Sequence, residues 1–228
     1  MRAGGKREPV ITIDGPAGAG KSTVAEELAH RLGFRRVNTG ALYRALAWAV
    51  RNAGLAPVDG PALRTLLDRT RVELSGQRVL VDGRDVSDEL RTPQVSELTS
   101  RLTMLRPVRD KMTPLQRELA AKGGVVLEGR DTGTVVCPDA DVKFYLDADL
   151  DTRAQRRQAD LRAQGVPVDL AGVKQDLALR DRQDMERPLA PLRKPDGAVV
   201  VDTSGLVLAE VVEEMLRIVE RVLCCTGR

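Results

Sequence analysis

The stretch Gly15-Pro16-Ala17-Gly18-Ala19-Gly20-Lys21-Ser22 constrains this chain more than any other. It matches the pattern G-x-x-x-x-G-K-[ST], and its surroundings agree with the match. The short apolar run Val10-Ile11-Thr12-Ile13 leads into it. The segment that follows puts Val24, Ala25, Leu28, Ala29 and Leu32 on one helical face, and Gly33 stops it. Between a strand and a helix, such glycines let the backbone curl until successive N–H groups point at bound phosphates. The helix N-terminus adds its partial positive charge. The pattern therefore predicts a nucleoside triphosphate site in which Lys21 reaches the β- and γ-phosphates and the Ser22 hydroxyl ligates Mg²⁺.

The rest of the chain alternates in the same way. Phe34 to Asn38 reads as a second strand, and Thr39 as the N-cap of a helix carrying Leu42, Leu46, Ala49 and Val50 and ended by Gly54. Between about Val72 and Val86 the pattern shifts to short strand-like pieces separated by Ser75-Gly76 and Asp82-Gly83, which predicts a small inserted antiparallel sheet. Thr92-Pro93 opens a helix lined by Val95, Leu98 and Leu102, and a second helix runs from about Arg106 to Lys122, before Gly123-Gly124. Strands at 125–127, 143–146 and 198–201 follow, with helical segments between and after them. The predicted fold is α/β: a five-stranded parallel sheet with helices on both faces, a small inserted antiparallel sheet and a helical lid. Its core is expected from 10–38, 123–150 and 190–223, all 228 residues forming a single functional chain.

Composition narrows the function. With 36 Lys and Arg against 33 Asp and Glu, the net charge of +3 is too balanced for a protein that coats nucleic acid. Seven of the basic residues are lysines and 29 are arginines, and the planar arginine fork matches phosphate oxygens in pairs. Cys137, Cys224 and Cys225 do not resemble a disulfide framework or a zinc site. No apolar run is long enough to span a membrane, and Met1 to Pro9 lacks the apolar centre of a signal peptide, so the cytoplasm is expected. His30, the single histidine, is assigned no catalytic role. No N-K-x-D guanine-reading motif is present, and nothing marks a translocating ATPase, which leaves a small-molecule kinase as the favoured reading.

Three further segments supply a candidate acceptor side. Asn38-Thr39-Gly40-Ala41-Leu42-Tyr43-Arg44 sets a hydroxyl, a ring and an arginine at a helix start, with Arg44 one turn on and able to point back. Glu128-Gly129-Arg130-Asp131-Thr132-Gly133-Thr134 follows a buried strand at its carboxyl end, where open α/β sheets bind ligands. Arg180 to Leu192 is a dense charged segment before a proline-broken loop.

Together these motifs resemble bacterial cytidylate kinases of the P-loop nucleoside monophosphate kinase family across nearly the whole chain. The matching stretches are ITIDGPAGAGKST (Ile11 to Thr23), TGALYR (Thr39 to Arg44), EGRDTGTVV (Glu128 to Val136) and RDRQD…RPLAPL (Arg180 to Leu192). The resemblance implies that Gly15, Pro16, Ala17, Gly18, Ala19, Gly20, Lys21, Ser22 and Thr23 bind ATP with Mg²⁺. It implies that Arg44, Arg130 and Arg187 hold the acceptor phosphate. Asp184 would hold the ribose, with Arg180 and Thr39 nearby and Tyr43 alongside, and Ser100, Arg109 and Asp131 would read cytosine. An acceptor carboxylate at Asp131 suits the exocyclic amine of cytosine and opposes the carbonyl that uracil carries there. It further implies an acceptor-binding region over 39–122, a lid over 151–187, and a monomer acting on CMP and dCMP without nucleic-acid or membrane partners. The lid helix is rich in arginine, with Arg153, Arg156, Arg157 and Arg162; Arg153 and Arg157 are expected over the transferring group beside Lys21 and Arg130 as catalytic cations. The alternative for the other arginines is i,i+4 pairing with Asp149 and Asp160.

Two residues depart from the family pattern. Ala17 stands where relatives often carry serine, and Thr39 replaces a common serine. Glu128 either orients Mg²⁺ through water or supports the Arg130 loop, and the sequence leaves both open. The competing functions are a kinase for UMP, AMP or a hydroxyl-bearing metabolite, an ATP-binding switch without transfer activity, and RNA binding through the arginines.

Overall fold

The computed structural model describes residues 7–163 and 165–225. In chain order its strands are β1 (Val10–Asp14), β2 (Arg35–Asn38), β3 (Val72–Ser75), β4 (Arg78–Val81), β5 (Arg84–Asp85), β6 (Val125–Glu128), β7 (Val142–Asp147) and β8 (Val199–Asp202). The α-helices are α1 (Lys21–Leu32), α2 (Thr39–Asn52), α3 (Pro61–Arg69), α4 (Pro93–Leu102), α5 (Arg106–Ala121), α6 (Leu150–Ala163), α7 (Leu170–Glu186) and α8 (Leu208–Cys225). They form two compact units, Met1–Val37 with Ala120–Arg228, and Asn38–Leu119.

The first unit holds the expected five-stranded parallel sheet, in the order β2-β6-β1-β7-β8. Strand β1 lies at its centre, pairing Val10 with Val125 on one side and Ile11 with Val142 on the other. All five β1 residues are buried, as a strand covered on both faces requires. Ile11 and Ile13 point to one face with Phe144 and Leu146, where α1 supplies Val24, Ala25 and Leu28 and α8 supplies Val212, Met215 and Val219. The alternate residues Thr12 and Asp14 point to the other face, where the Asp14 carboxylate accepts from the Thr132 N–H (2.9 Å), the Thr132 hydroxyl (2.8 Å) and the Gly133 N–H (2.7 Å). That carboxylate fastens the single π-turn after β6, Thr132–Val136, to the end of the central strand.

At the end of β1 the chain turns at Gly15, whose φ is +145°. A Cβ there would stand 1.9 Å from the Leu146 carbonyl oxygen on β7, so only glycine fits. Gly20, at φ +84°, is the left-handed residue that launches α1 at Lys21.

The second unit carries the expected antiparallel sheet β3-β4-β5, packed against α2. Trp48 on α2 donates its indole N–H to Glu89 (2.8 Å), and Arg84 lies over the same ring while pairing with Glu89. The cap of α2 corrects the sequence reading. Asn38, in an extended conformation, accepts from the Ala41 N–H (2.8 Å), so Thr39 is the first helical residue and not the cap. The short amide side chain of asparagine makes the same bond a threonine hydroxyl would, one residue earlier. Thr92 does cap α4, accepting from Val95 N–H. Helix α3 was not foreseen, although Pro61 at its first turn and the buried Leu63, Leu66 and Leu67 carry its signal. Cys137 is half-buried and Cys224 exposed, and the side chain of Cys225 lies outside the described residues. Among the described residues no helix is long and apolar enough to cross a membrane.

Candidate active site

The glycine turn and the first residues of α1 build the donor end. Lys21 is buried, and its ammonium donates to the Pro16 carbonyl (2.5 Å) within its own loop. Burial drives the Lys21 pKa well below its ordinary value, Arg130 and Arg180 push the same way, and Glu128 and Asp14 oppose them. The next residue, Ser22, is exposed and donates its hydroxyl to Glu128 (2.6 Å). Arg36 on β2 holds the other Glu128 oxygen (3.1 Å) and pairs with Glu26 (2.6 Å). A hydroxyl bonded to a carboxylate fixed from behind is a donor set that suits Mg²⁺, which keeps several of its waters and takes few protein ligands. Glu128 thus meets the Ser22 hydroxyl directly.

The carboxyl end of β6 meets the end of α7 in a chain of ion pairs. Arg130 donates from Nε to Asp184 (2.8 Å), and Arg187 lies 3.4 Å from both Asp184 and Asp131. The Arg187 Nε is held by the carbonyl (2.6 Å) of Ala190, one of two non-glycine residues with positive φ among the described residues. Burial pushes the Asp184 carboxyl up, but Arg130, Arg187 and Arg180 outweigh it and hold it below its usual range. Arg180 makes no hydrogen bond or ion pair among the described residues; burial and then Arg130 lower its pKa. Three arginines thus share two carboxylates, with Arg157 of α6 close enough to repel Arg180 and itself without an ion pair among the described residues. Guanidinium groups gathered in this way can take anion oxygens in pairs.

Helix α6 corrects the reading of its arginines. Arg153 is not free to swing over a substrate: it is buried, its Nε donates to the Ala148 carbonyl (2.9 Å), and its Nη1 donates to the Ala17 carbonyl (3.0 Å) and to Asp181 (2.5 Å). Arg156 donates to the hydroxyl and carbonyl of Thr203 (2.9 and 2.7 Å). The pairings with Asp149 and Asp160 do not form. Asp149 instead caps the first turn, accepting from the Thr152 hydroxyl and N–H, which lower its pKa to about 2. Arg157 and the exposed Arg162 are left without an ion pair among the described residues.

In the second unit the start of α2 gathers another set. The Arg44 guanidinium folds back to within 3.2 Å of where a Gly40 side chain would begin, the direction its spacing implied. Thr39 and Tyr43 are buried on the same helix. Arg109 lies 5.8 Å from the Tyr43 ring centre and donates to the Thr103 carbonyl (2.7 Å), while the Thr103 hydroxyl donates to the Ser100 carbonyl (2.9 Å). Thr103 therefore links Arg109 to the Ser100 carbonyl, and Arg109 in turn lies over the Tyr43 ring.

Sequence reasoning missed Asp14, Arg36 and Asp181. Asp14 was legible as the one charge in an otherwise uncharged strand, placed immediately before the glycine turn. Asp181 was hidden among the charges of the Arg180 segment. Nothing local marked Arg36.

The family model described as "Cytidylate kinase" matches residues 11–221. The cytidylate kinase of Symbiobacterium thermophilum is 48% identical over 218 residues, covering 93% of this chain and 96% of that protein. The cytidylate kinase of Geobacter sulfurreducens is 47% identical over 223 residues, covering 96% of each. Among solved structures, a protein of Thermus thermophilus aligns with a TM-score of 0.50 at 21% identity over 96% of this chain and 99% of that one, a likeness of fold.

The depressed Lys21 pKa has a measurable consequence. Phosphate oxygens arriving beside the ammonium favour its charged form, so its pKa rises on binding. Between the lowered value and the bound value, binding ATP takes up protons. Calorimetric titrations in buffers of different ionisation enthalpy will show net proton uptake on ATP binding at pH values between the free and the bound pKa of Lys21, and none well below the free one. Proton release across that range contradicts the assigned cause.

Proposed function

We propose that this chain, which belongs to the cytidylate kinase family, transfers the γ-phosphoryl group of ATP to CMP and dCMP, releasing ADP with CDP or dCDP. The observation that carries this reading is the cluster of buried cations running from Lys21 through Arg130 to Arg180 and Arg187. Phosphate oxygens entering such a cluster favour its charged forms.

The attacking atom is an oxygen of the CMP phosphate, already anionic at neutral pH. The new bond joins that oxygen to the γ-phosphorus, the bond from the γ-phosphorus to the bridging oxygen breaks, and the electron pair leaves with ADP. No proton moves, so the site needs no general base. Catalysis is then alignment and neutralisation of spread negative charge. The turn from Gly15 to Ser22, with Thr23, takes the donor phosphates, and Lys21 meets the β- and γ-oxygens. Ser22, with Glu128 acting through water, would hold Mg²⁺, which would supply neutralisation of the donor's negative charge.

On the acceptor side, Arg130 and Arg187 take the CMP phosphate, Asp184 with Arg180 beside it takes the ribose hydroxyls, and Asp131 accepts from the cytosine amine. The motif resemblance further assigns Arg44 to the acceptor phosphate, Thr39 and Tyr43 to the acceptor, and Ser100 and Arg109 to the base. Arg157, the arginine of α6 nearest Arg180 in electrostatic terms and lacking an ion pair among the described residues, is assigned to the transferring group. The motif resemblance and the shared chemistry of these residues support the assignments.

Replacing Lys21 with alanine is expected to cut turnover at least about a hundredfold while leaving the circular dichroism spectrum and melting curve in place. Near-normal turnover by that variant would remove Lys21 from the mechanism. Asp131→Asn exchanges a pure acceptor for a group that also donates, so the CMP to UMP ratio of kcat/KM is expected to fall at least about tenfold. An unchanged ratio assigns base reading elsewhere.

A further inference from the structure

Helices α6 and α7 both bond to Ala17 of the glycine turn, and they hold it on three sides. Its carbonyl accepts from Arg153 Nη1 (3.0 Å) and its N–H donates to Asp181 Oδ1 (3.4 Å). Its methyl group packs in a small apolar cluster with Ala154 of α6 and Val173 and Leu177 of α7. The two polar partners are themselves joined, Arg153 Nη1 to Asp181 Oδ2 (2.5 Å), and both are buried. Arg153 is anchored in turn on the Ala148 carbonyl (2.9 Å). The neighbouring Gly18, at φ +80°, rests directly against the Arg153 backbone and Cβ, where an added side chain would meet them at 3.0 Å.

We infer that Arg153 and Asp181 are positioning residues that set the phosphate turn for its donor nucleotide. The inference deepens the kinase reading above and rests on it only for the identity of the donor. A buried ion pair is poor stabiliser in itself, because desolvation offsets most of its attraction. This one is arranged around a peptide. A guanidinium donates to the C=O of Ala17 and a carboxylate accepts from its N–H, so the peptide groups on both sides of the residue are fixed in orientation. The donor phosphates bind to backbone N–H groups of the same turn, and their affinity depends on those groups being oriented before the nucleotide arrives. Alanine at 17 fits the same arrangement, since its methyl fills the apolar cluster that a hydroxyl would enter at a cost.

The test is calorimetric titration of the full chain with ADP and, separately, with CMP, alongside thermal melting. Arg153→Ala and Asp181→Ala are each expected to weaken ADP binding about tenfold, with CMP affinity changing less than about threefold. The double variant is expected to bind ADP no more weakly than the weaker single one, because both substitutions dissolve one clamp. Should the alanine variants fail to fold, Asp181→Asn and Arg153→Lys serve in their place. Asparagine keeps an acceptor for the Ala17 N–H but removes the ion pair, and lysine cannot span Ala148, Ala17 and Asp181 together. Each is expected to weaken ADP binding about threefold. Folded variants with a lower melting temperature but unchanged ADP affinity would overturn the inference, as would equal losses for ADP and CMP. A wild-type chain that binds ADP yet transfers nothing to CMP would sink the kinase reading while leaving the ADP comparison intact.

Discussion

Positive charge crowded at the carboxyl ends of β1 and β6 is the constraint to which the rest of the structure answers. Lys21, Arg130 and Arg180 raise one another's cost of being charged. Two like charges about 6 Å apart repel by about 3 kcal/mol at an effective dielectric constant of about 20, before any desolvation is counted. The carboxylates around them read as the response. Glu128 and Asp14 offset Lys21, and Asp184 offsets Arg130 and Arg180. They do not restore Lys21 or Arg180 to its ordinary pKa, because burial is the largest cause in both, and phosphate oxygens arriving beside these cations favour their charged forms. A site balanced within the protein would gain little from binding a triphosphate, whereas this one exchanges repulsion for attraction when nucleotides enter.

The carboxylates also serve as fasteners. Asp14 ties the turn after β6 to the central strand, and Arg36 fixes the Glu128 carboxylate that meets Ser22. Asp184 binds the Arg130 loop to α7, and Asp131 adds a second tie through Arg187. Function and architecture therefore use the same groups. The electrostatic environment that perturbs Lys21 is produced by residues whose other task is to hold strand ends and helix ends in place.

Much of this was legible in the sequence, for definite reasons. The glycine turn was readable because backbone curvature and a lysine at fixed spacing leave few alternatives. The central strands were readable as short, mainly apolar runs, and the small sheet from its turn dipeptides, since these signals are local. What the sequence hid was mostly long-range. The Ala17 contacts of Arg153 and Asp181 span 136 and 164 residues, so an arginine on a basic helix looked like a mobile cation and proved to be a buried clamp. The cap of α2 was misread by one residue because Asn38 and Thr39 are both good caps, and backbone conformation chooses between them. The short α3 was passed over for want of a long periodic pattern.

ADP formation from ATP and Mg²⁺, with CMP, dCMP, UMP and AMP compared as acceptors in parallel, tests the central claim most directly. The account predicts strong turnover with CMP and dCMP, much weaker turnover with UMP, and little with AMP. ATP binding without acceptor-dependent ADP formation, or a preference for AMP or UMP over CMP, would contradict it.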